Sequence, residues 1–245
     1  MYGGDDTIRF ISDKSENIYL RFASATKYGL GAVLGNDCSE VHRSIITASN
    51  KELLFDLHVQ GMKIGQWGVI GIEGAIRHKE NVSDEYWVNN SGHIVYDDEW
   101  VEDHLMQKCA EINVPFNRLI IVSHTPPYGK LDTGLRFGVE HLGSPALLRF
   151  IEENQPALVL SGHCHSAGGK MKKVENTLIV NSASDDLNIQ KTRMAIIELS
   201  DQGDPIVEWI DPNPHTVLSL PYIGEEGERK DFRRADYTSL KEMSS

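Results

Sequence analysis

Apolar positions along this chain fall into short blocks separated by Gly, Pro and Asn, and the spacing within each block predicts an element. Residues 17–29, "NIYLRFASATKYG", carry apolar side chains near helical spacing and stop at Gly29, which predicts a helix. "GAVLGND" is a short apolar run ending in Gly-Asn-Asp, a buried strand followed by a turn. Residues 54–74, "LFDLHVQGMKIGQWGVIGIEG", predict two or three short strands, and the polar residues 75–96 around "NNSG" a long surface loop. "DDEWVEDHLMQKCAEINV" predicts a helix whose acidic start, Asp97 and Asp98, is a solvated end favoured by the helix dipole. "RLIIVSHTPPYG" reads as a buried strand, a histidine and a Pro-Pro loop. "SPALLRFIEENQ" predicts a helix with Ser144 as N-cap and Pro145 at its first position. "PALVLSGHCH" predicts another strand, then come "KMKKVE", "TLIVNSAS", "RMAIIELS" and "PIVEWI" as further strands. The pattern is strand, helix, strand at first and then a run of strands. It predicts a layered α/β domain over residues 1–212, whose second half completes an adjoining antiparallel sheet. Residues 213–245 turn polar and charged and are expected to form a flexible tail.

Charge narrows the classes of partner. Asp plus Glu number 36 against 24 Lys plus Arg, a net charge of −12, so the chain is a poor bulk binder of nucleic acid or anionic lipid. A phosphoester substrate stays open, because bound metal ions invert the local charge. The three cysteines, Cys38, Cys109 and Cys164, form no CxxC and no disulfide framework, and are expected to be reduced thiols. No apolar run approaches the roughly 18 residues of a membrane span, and the first residues lack a signal-peptide core. A cytoplasmic location is the expectation, without a membrane partner.

Ligand-type residues stand where strands end. Asp5 follows a Gly-Gly pair, Asn36 follows "VLG", His124 follows "IVS", and His163 and His165 follow "LSG". In layered α/β folds, sites form outside the carboxyl ends of strands, so these distant stretches can meet at one sheet edge. Asp, Asn and His form a mixed nitrogen and oxygen ligand set, suited to Mn²⁺, Fe²⁺ or Zn²⁺ rather than to Ca²⁺ or Mg²⁺. A bridging carboxylate, an amide oxygen and several imidazoles suit a two-metal hydrolytic site.

In these residues the chain resembles the calcineurin-like metallophosphoesterases, and small archaeal and bacterial members in particular. Their pattern runs DxH, GDxxD, GNH(D/E), a lone His and GHxH. Here "GHCH", Gly162 to His165, fits the last element, "SHTPPYG" the lone His, "GND" the first two positions of the third, and "GGDD" the GD of the second. The resemblance implies an α/β/β/α sandwich. It also implies two divalent metal ions, Mn²⁺ or Fe²⁺/Zn²⁺, with Asp5 bridging, Asn36, His124 and His163 on the second metal and His165 on the first. The implied reaction is hydrolysis of a small phosphoester by a metal-bound hydroxide.

The chain departs from the pattern at three points. No DxH element precedes Asp5, Ile8 stands where the second Asp of GDxxD belongs, and Asp37 stands where the family has the His of GNH. The resemblance implies that this His protonates the leaving group or steadies the transition-state charge, and a carboxylate acts as a general acid only if its pKa is raised. Asp37 and His141, which precedes a helix N-cap and can face the substrate phosphate, are the candidate catalytic residues. The first β-α unit is expected to be missing, through truncation or through degeneration into a metal-binding or scaffold protein. The sheet edge so exposed predicts lower stability or pairing with another chain, such as a homo-oligomer. Asn181 is expected to shape a turn, Cys164 to point into packing, and His42, His58, His78, His93, His104 and His215 to be surface or packing residues.

Overall fold

The runs "WGVIGI", "LIIVS" and "LVLS" are apolar on both faces, a composition that fits strands covered on both sides. The computed structural model describes residues 19, 22–36, 38, 43, 46, 53–77, 94–134, 141–183, 194–200, 204–210 and 217–218. Its elements are β1 (Leu30–Ala32), β2 (Leu54–Asp56), β3 (Met62–Ile64), β4 (Trp67–Ile72), β5 (Ala75–Ile76), β6 (Val95–Tyr96), α1 (Asp98–Ile112), β7 (Leu119–Ser123), α2 (Pro145–Asn154), β8 (Leu158–Ser161), β9 (Lys170–Val174), β10 (Thr177–Asn181), β11 (Met194–Glu198), β12 (Ile206–Ile210) and β13 (Val217–Leu218).

A six-stranded sheet runs in the order β3-β4-β7-β8-β10-β9. Its four central strands are parallel, and β3 and β9 close the edges antiparallel. Period-two alternation assigns the two faces. Ile70, Ile72, Leu119, Ile121, Val159 and Ile179 face α1 and α2, where they meet Val101, Leu105, Leu147, Phe150 and Ile151. Their neighbours Val69, Ile120, Leu158, Leu178 and Val180 face the other way, onto Trp209, Ala195, Ile197 and Val207 of a second sheet, β11-β12-β13. The layers are therefore helix, sheet, sheet, the layered α/β architecture the sequence predicts. Each fully buried Ile or Leu in them contributes about 1.5–3 kcal/mol.

Three local expectations change. Residues 75–96 are not a loop throughout. Ala75 and Ile76 are buried and form β5, which pairs in parallel with β6, while residues 78–93 lie outside the described residues. Two-residue runs are too short to show a period. Asp98 is not simply solvated. Its carboxylate accepts from Ser144 Oγ at 2.6 Å and from the Ala146 amide at 2.8 Å, so the start of α1 also caps the start of α2. Ser144 itself accepts from the Leu147 amide, the N-cap bond expected of it. Finally, Val217–Leu218, within the stretch read as a tail, pair with β12.

Among the described residues no helix is long and apolar enough to cross a membrane. No disulfide links Cys38, Cys109 and Cys164. Cys164 is 2% exposed, packed inward as expected.

Candidate metal centre

The parallel strands β7 and β8 deliver their carboxyl ends to one edge with His124, His163 and His165, and Asn36 reaches it from the turn after β1, a strand of the separate two-stranded sheet β1-β2. His124 follows β7, and its amide donates to Ile72 O at the end of β4. Gly162 follows β8, and its amide donates to His124 O. The turn after β1 is held from two sides: Gly74 N–H donates to Leu34 O and Ile94 N–H to Asn36 O, both at 2.9 Å. These bonds bring Asn36 Oδ1 to 2.8 Å from His124 Nε2. A Cβ on Gly35 would meet His124 Cε1 at 2.9 Å, so the missing side chain is what lets this turn lie on the imidazole.

The His163 ring lies 4.8 Å from that of His124, centroid to centroid. His163 takes a left-handed φ of 59°, uncommon for a residue with a Cβ, and this re-aims the chain immediately after the strand. His165 opens a short 3-10 turn and is exposed. Burial, with the His163 and His165 imidazoles beside it, pulls His124 down to about 3, so it stands neutral, the form that ligates metals. Cys164 between the histidines is no thiolate: burial, then the Asp132 carboxylate, pushes its thiol up.

Asp5 and Asp37 lie outside the described residues. Among the described residues, no group of three or more His, Cys, Asp or Glu side chains is gathered as a metal site. The structure instead brings together Asn36, His124 and His163, with His165 at the rim. This donor set fits a divalent ion. Asn36 Oδ1 accepts from His124 Nε2–H at 2.8 Å, so two ligand-type groups already face one another at this edge.

Sequence reasoning missed what supports this edge. Asn181, at the end of β10 and fully buried, points its amide nitrogen at three carbonyls: Leu131 O at 2.9 Å, and Gly162 O and Cys164 O at 3.2 Å. It shapes the turn, as expected, and also ties the loop after His124 to the turn carrying the histidines. That loop holds a second missed residue, Asp132, 1% exposed. His141 Nδ1 lies 3.1 Å from Asp132 Oδ1, while Asp132 Oδ2 accepts from the Gly129 and Gly143 amides.

Behind the Asn36 turn lies a buried ion network. Arg43 pairs with Asp56 at 2.9 Å and with Glu73, which is 0% exposed and also accepts from Tyr96 Oη at 2.6 Å. Among the described residues, Glu73 Oε2 has no hydrogen-bond partner. His58, beside this carboxylate, stacks with Tyr96, Trp100 and His104, and burial lowers it to about 4. His58 and His104 are packing residues, as the sequence suggests. The only local signal for this network was an acid in the apolar run "GVIGIEG".

The family model of calcineurin-like phosphoesterases matches residues 33–167, more than half of the chain, and the chain belongs to that family. The family is one of metallophosphoesterases, hydrolases that generally use divalent metals. The chain is similar to UPF0046 protein K07C11.7 of Caenorhabditis elegans, 39% identical over 70 residues, which cover 29% of this chain and 23% of that protein. A solved structure, the Termus thermophilus sulfate thiohydrolase SoxB in complex with glycerol, aligns with a TM-score of 0.35 and 16% identity, over 65% of this chain and 25% of that one. In both cases the chain spans about a quarter of the relative's length.

Proposed function

We propose that this chain hydrolyses a small phosphoester, mono- or diester, at a site holding two divalent metal ions. The observation that carries the reading is the meeting of Asn36 Oδ1 and His124 Nε2, 2.8 Å apart, with the His163 ring alongside. Asn36, His124 and His163 would hold one ion, His165 the other, and Asp5 would supply the carboxylate shared between them. Asp37 and His141 act on the substrate. Bound ions of this kind neutralise phosphate oxygens and make water nucleophilic at neutral pH. The chain's own groups supply the rest. His124, kept neutral by burial, offers a lone pair. The Gly35 turn brings the Asn36 amide against it. Asn181 fixes the GHCH turn.

The test is metal content by mass spectrometry together with hydrolysis of bis-p-nitrophenyl phosphate in added Mn²⁺. About two ions per chain with turnover support the reading. Metal uptake without turnover gives the alternative, a family member that keeps the fold as a metal-binding or scaffold protein. No uptake and no turnover overturn the phosphoesterase reading and leave a degenerate or truncated scaffold.

A further inference from the structure

We infer that His141 and Asp132 form a proton-donating dyad that serves the leaving group, with His141 as the catalytic acid and Asp132 as its positioning residue. The inference rests on the phosphoesterase reading above. It addresses a departure from the motif: Asp37 stands where the resemblance implies a histidine that protonates the leaving group or steadies the transition-state charge.

The geometry is that of an oriented imidazole. Asp132 is locked before His141 is considered. One carboxylate oxygen takes two backbone amides, Gly129 at 2.8 Å and Gly143 at 3.1 Å, and its side chain is 2% exposed. The other oxygen accepts from His141 Nδ1 at 3.1 Å. An acceptor on Nδ1 fixes the ring orientation and leaves Nε2 for the substrate, the role the buried aspartate plays in hydrolase triads. The His141 side chain remains 34% exposed, with the Tyr128 ring 4.9 Å away.

The dyad belongs to the metal edge by its attachments. Tyr128 N–H donates to Ser144 O, Ser144 N–H to Pro126 O, and Leu142 N–H to Asp132 O, which mounts the loop directly after His124. Asn181 bonds Leu131 O, and Ser166 Oγ donates to Thr133 O, which fastens the Asp132 segment to the turn bearing His163 and His165.

In the step assigned to the dyad, protonated His141 gives its Nε2 proton to the ester oxygen as the phosphorus bond to that oxygen breaks. The leaving group departs as an alcohol. Water supplies the oxygen of the new bond to phosphorus and loses a proton to solvent, and His141 is reprotonated from solvent. Proton donation matters in proportion to how poor the leaving group is.

The experiment compares wild type, His141→Ala and Asp132→Asn on phenyl and p-nitrophenyl esters, each as the phosphate monoester and the methyl phosphodiester, with Mn²⁺. On phenyl esters, whose leaving group has a pKa of about 10, both variants should lose about 100-fold or more in kcat. On the esters of the far more acidic p-nitrophenol the loss should stay below about tenfold. Equal loss on both leaving groups, or none, overturns the dyad. The exposed His141→Ala variant decides the matter if Asp132→Asn fails to fold. A wild type inert on all four esters removes the phosphoesterase reading and the dyad with it, whereas an active wild type with no leaving-group dependence in the variants removes the dyad alone.

Discussion

Asn36 Oδ1 and His124 Nε2 lie 2.8 Å apart although 88 positions separate them in the chain. The pair exists because the turn after β1 is hydrogen-bonded to Gly74 and Ile94, because His124 is bonded to Ile72 at the end of β4, and because Gly35 leaves room between them. Asn36→Ala should weaken Mn²⁺ binding by more than about tenfold, the scale on which removed metal-site partners act. Gly35→Ala, whose new methyl meets the ring at 2.9 Å, should weaken it too. Calorimetric titration with Mn²⁺ measures both, and unchanged affinity in Asn36→Ala would remove Asn36 from the ligand set.

Asn181 serves three carbonyls from a fully buried position. Asn181→Ala takes the side-chain donor from Leu131 O, while Gly162 O and Cys164 O keep the Cys164 and Ala167 amides, and should cost about 1–3 kcal/mol, the penalty for a buried polar group left unpaired. Urea denaturation reads this directly, and a loss below about 0.5 kcal/mol would mean that the loops hold together without it.

Arg43 pairs with two buried carboxylates, Asp56 and Glu73. Arg43→Met should destabilise by about 3–5 kcal/mol, because both acids stay buried without this cation, although Tyr96 Oη and the His58 amide still donate to them. Adding Asp56→Asn and Glu73→Gln should recover most of that loss, and guanidinium midpoints of the two variants provide the comparison.

His58 gives the fold an acid sensitivity. Burial, and then the neighbouring His104, lowers it from 6.5 to about 4. Above about 6.5 the ring is neutral in both states and the stability is complete. As the pH falls through that value, the unfolded chain takes up a proton that the folded chain refuses. Stability then drops by about 1.4 kcal/mol per pH unit until the folded ring titrates near 4. Between pH 7 and 4.5, wild type should lose more stability in urea than His58→Asn does. Equal losses would show that His58 does not carry the effect.

Much of the architecture was legible because burial leaves a period. Strands covered on both faces read as unbroken apolar runs, and Ser144-Pro145 announced its helix by cap chemistry. The meeting of His124 with His163 was legible because ligand-type residues followed strands that had to be parallel. Other features depend on register rather than on local pattern. Asp132 sits among loop residues, and only the fold turns its carboxylate toward two amides and an imidazole. Asp98 looked like an ordinary acidic helix start until α2 was seen to begin against it. Ala75 and Ile76 were too few to display alternation.

The left-handed backbone at His163 sets stability and chemistry against each other at one position. Glycine or asparagine adopts this conformation more readily, and only histidine brings the imidazole. A library selected for heat resistance alone should therefore drift toward His163→Gly or His163→Asn, and its toughest members should be those that have given up the imidazole.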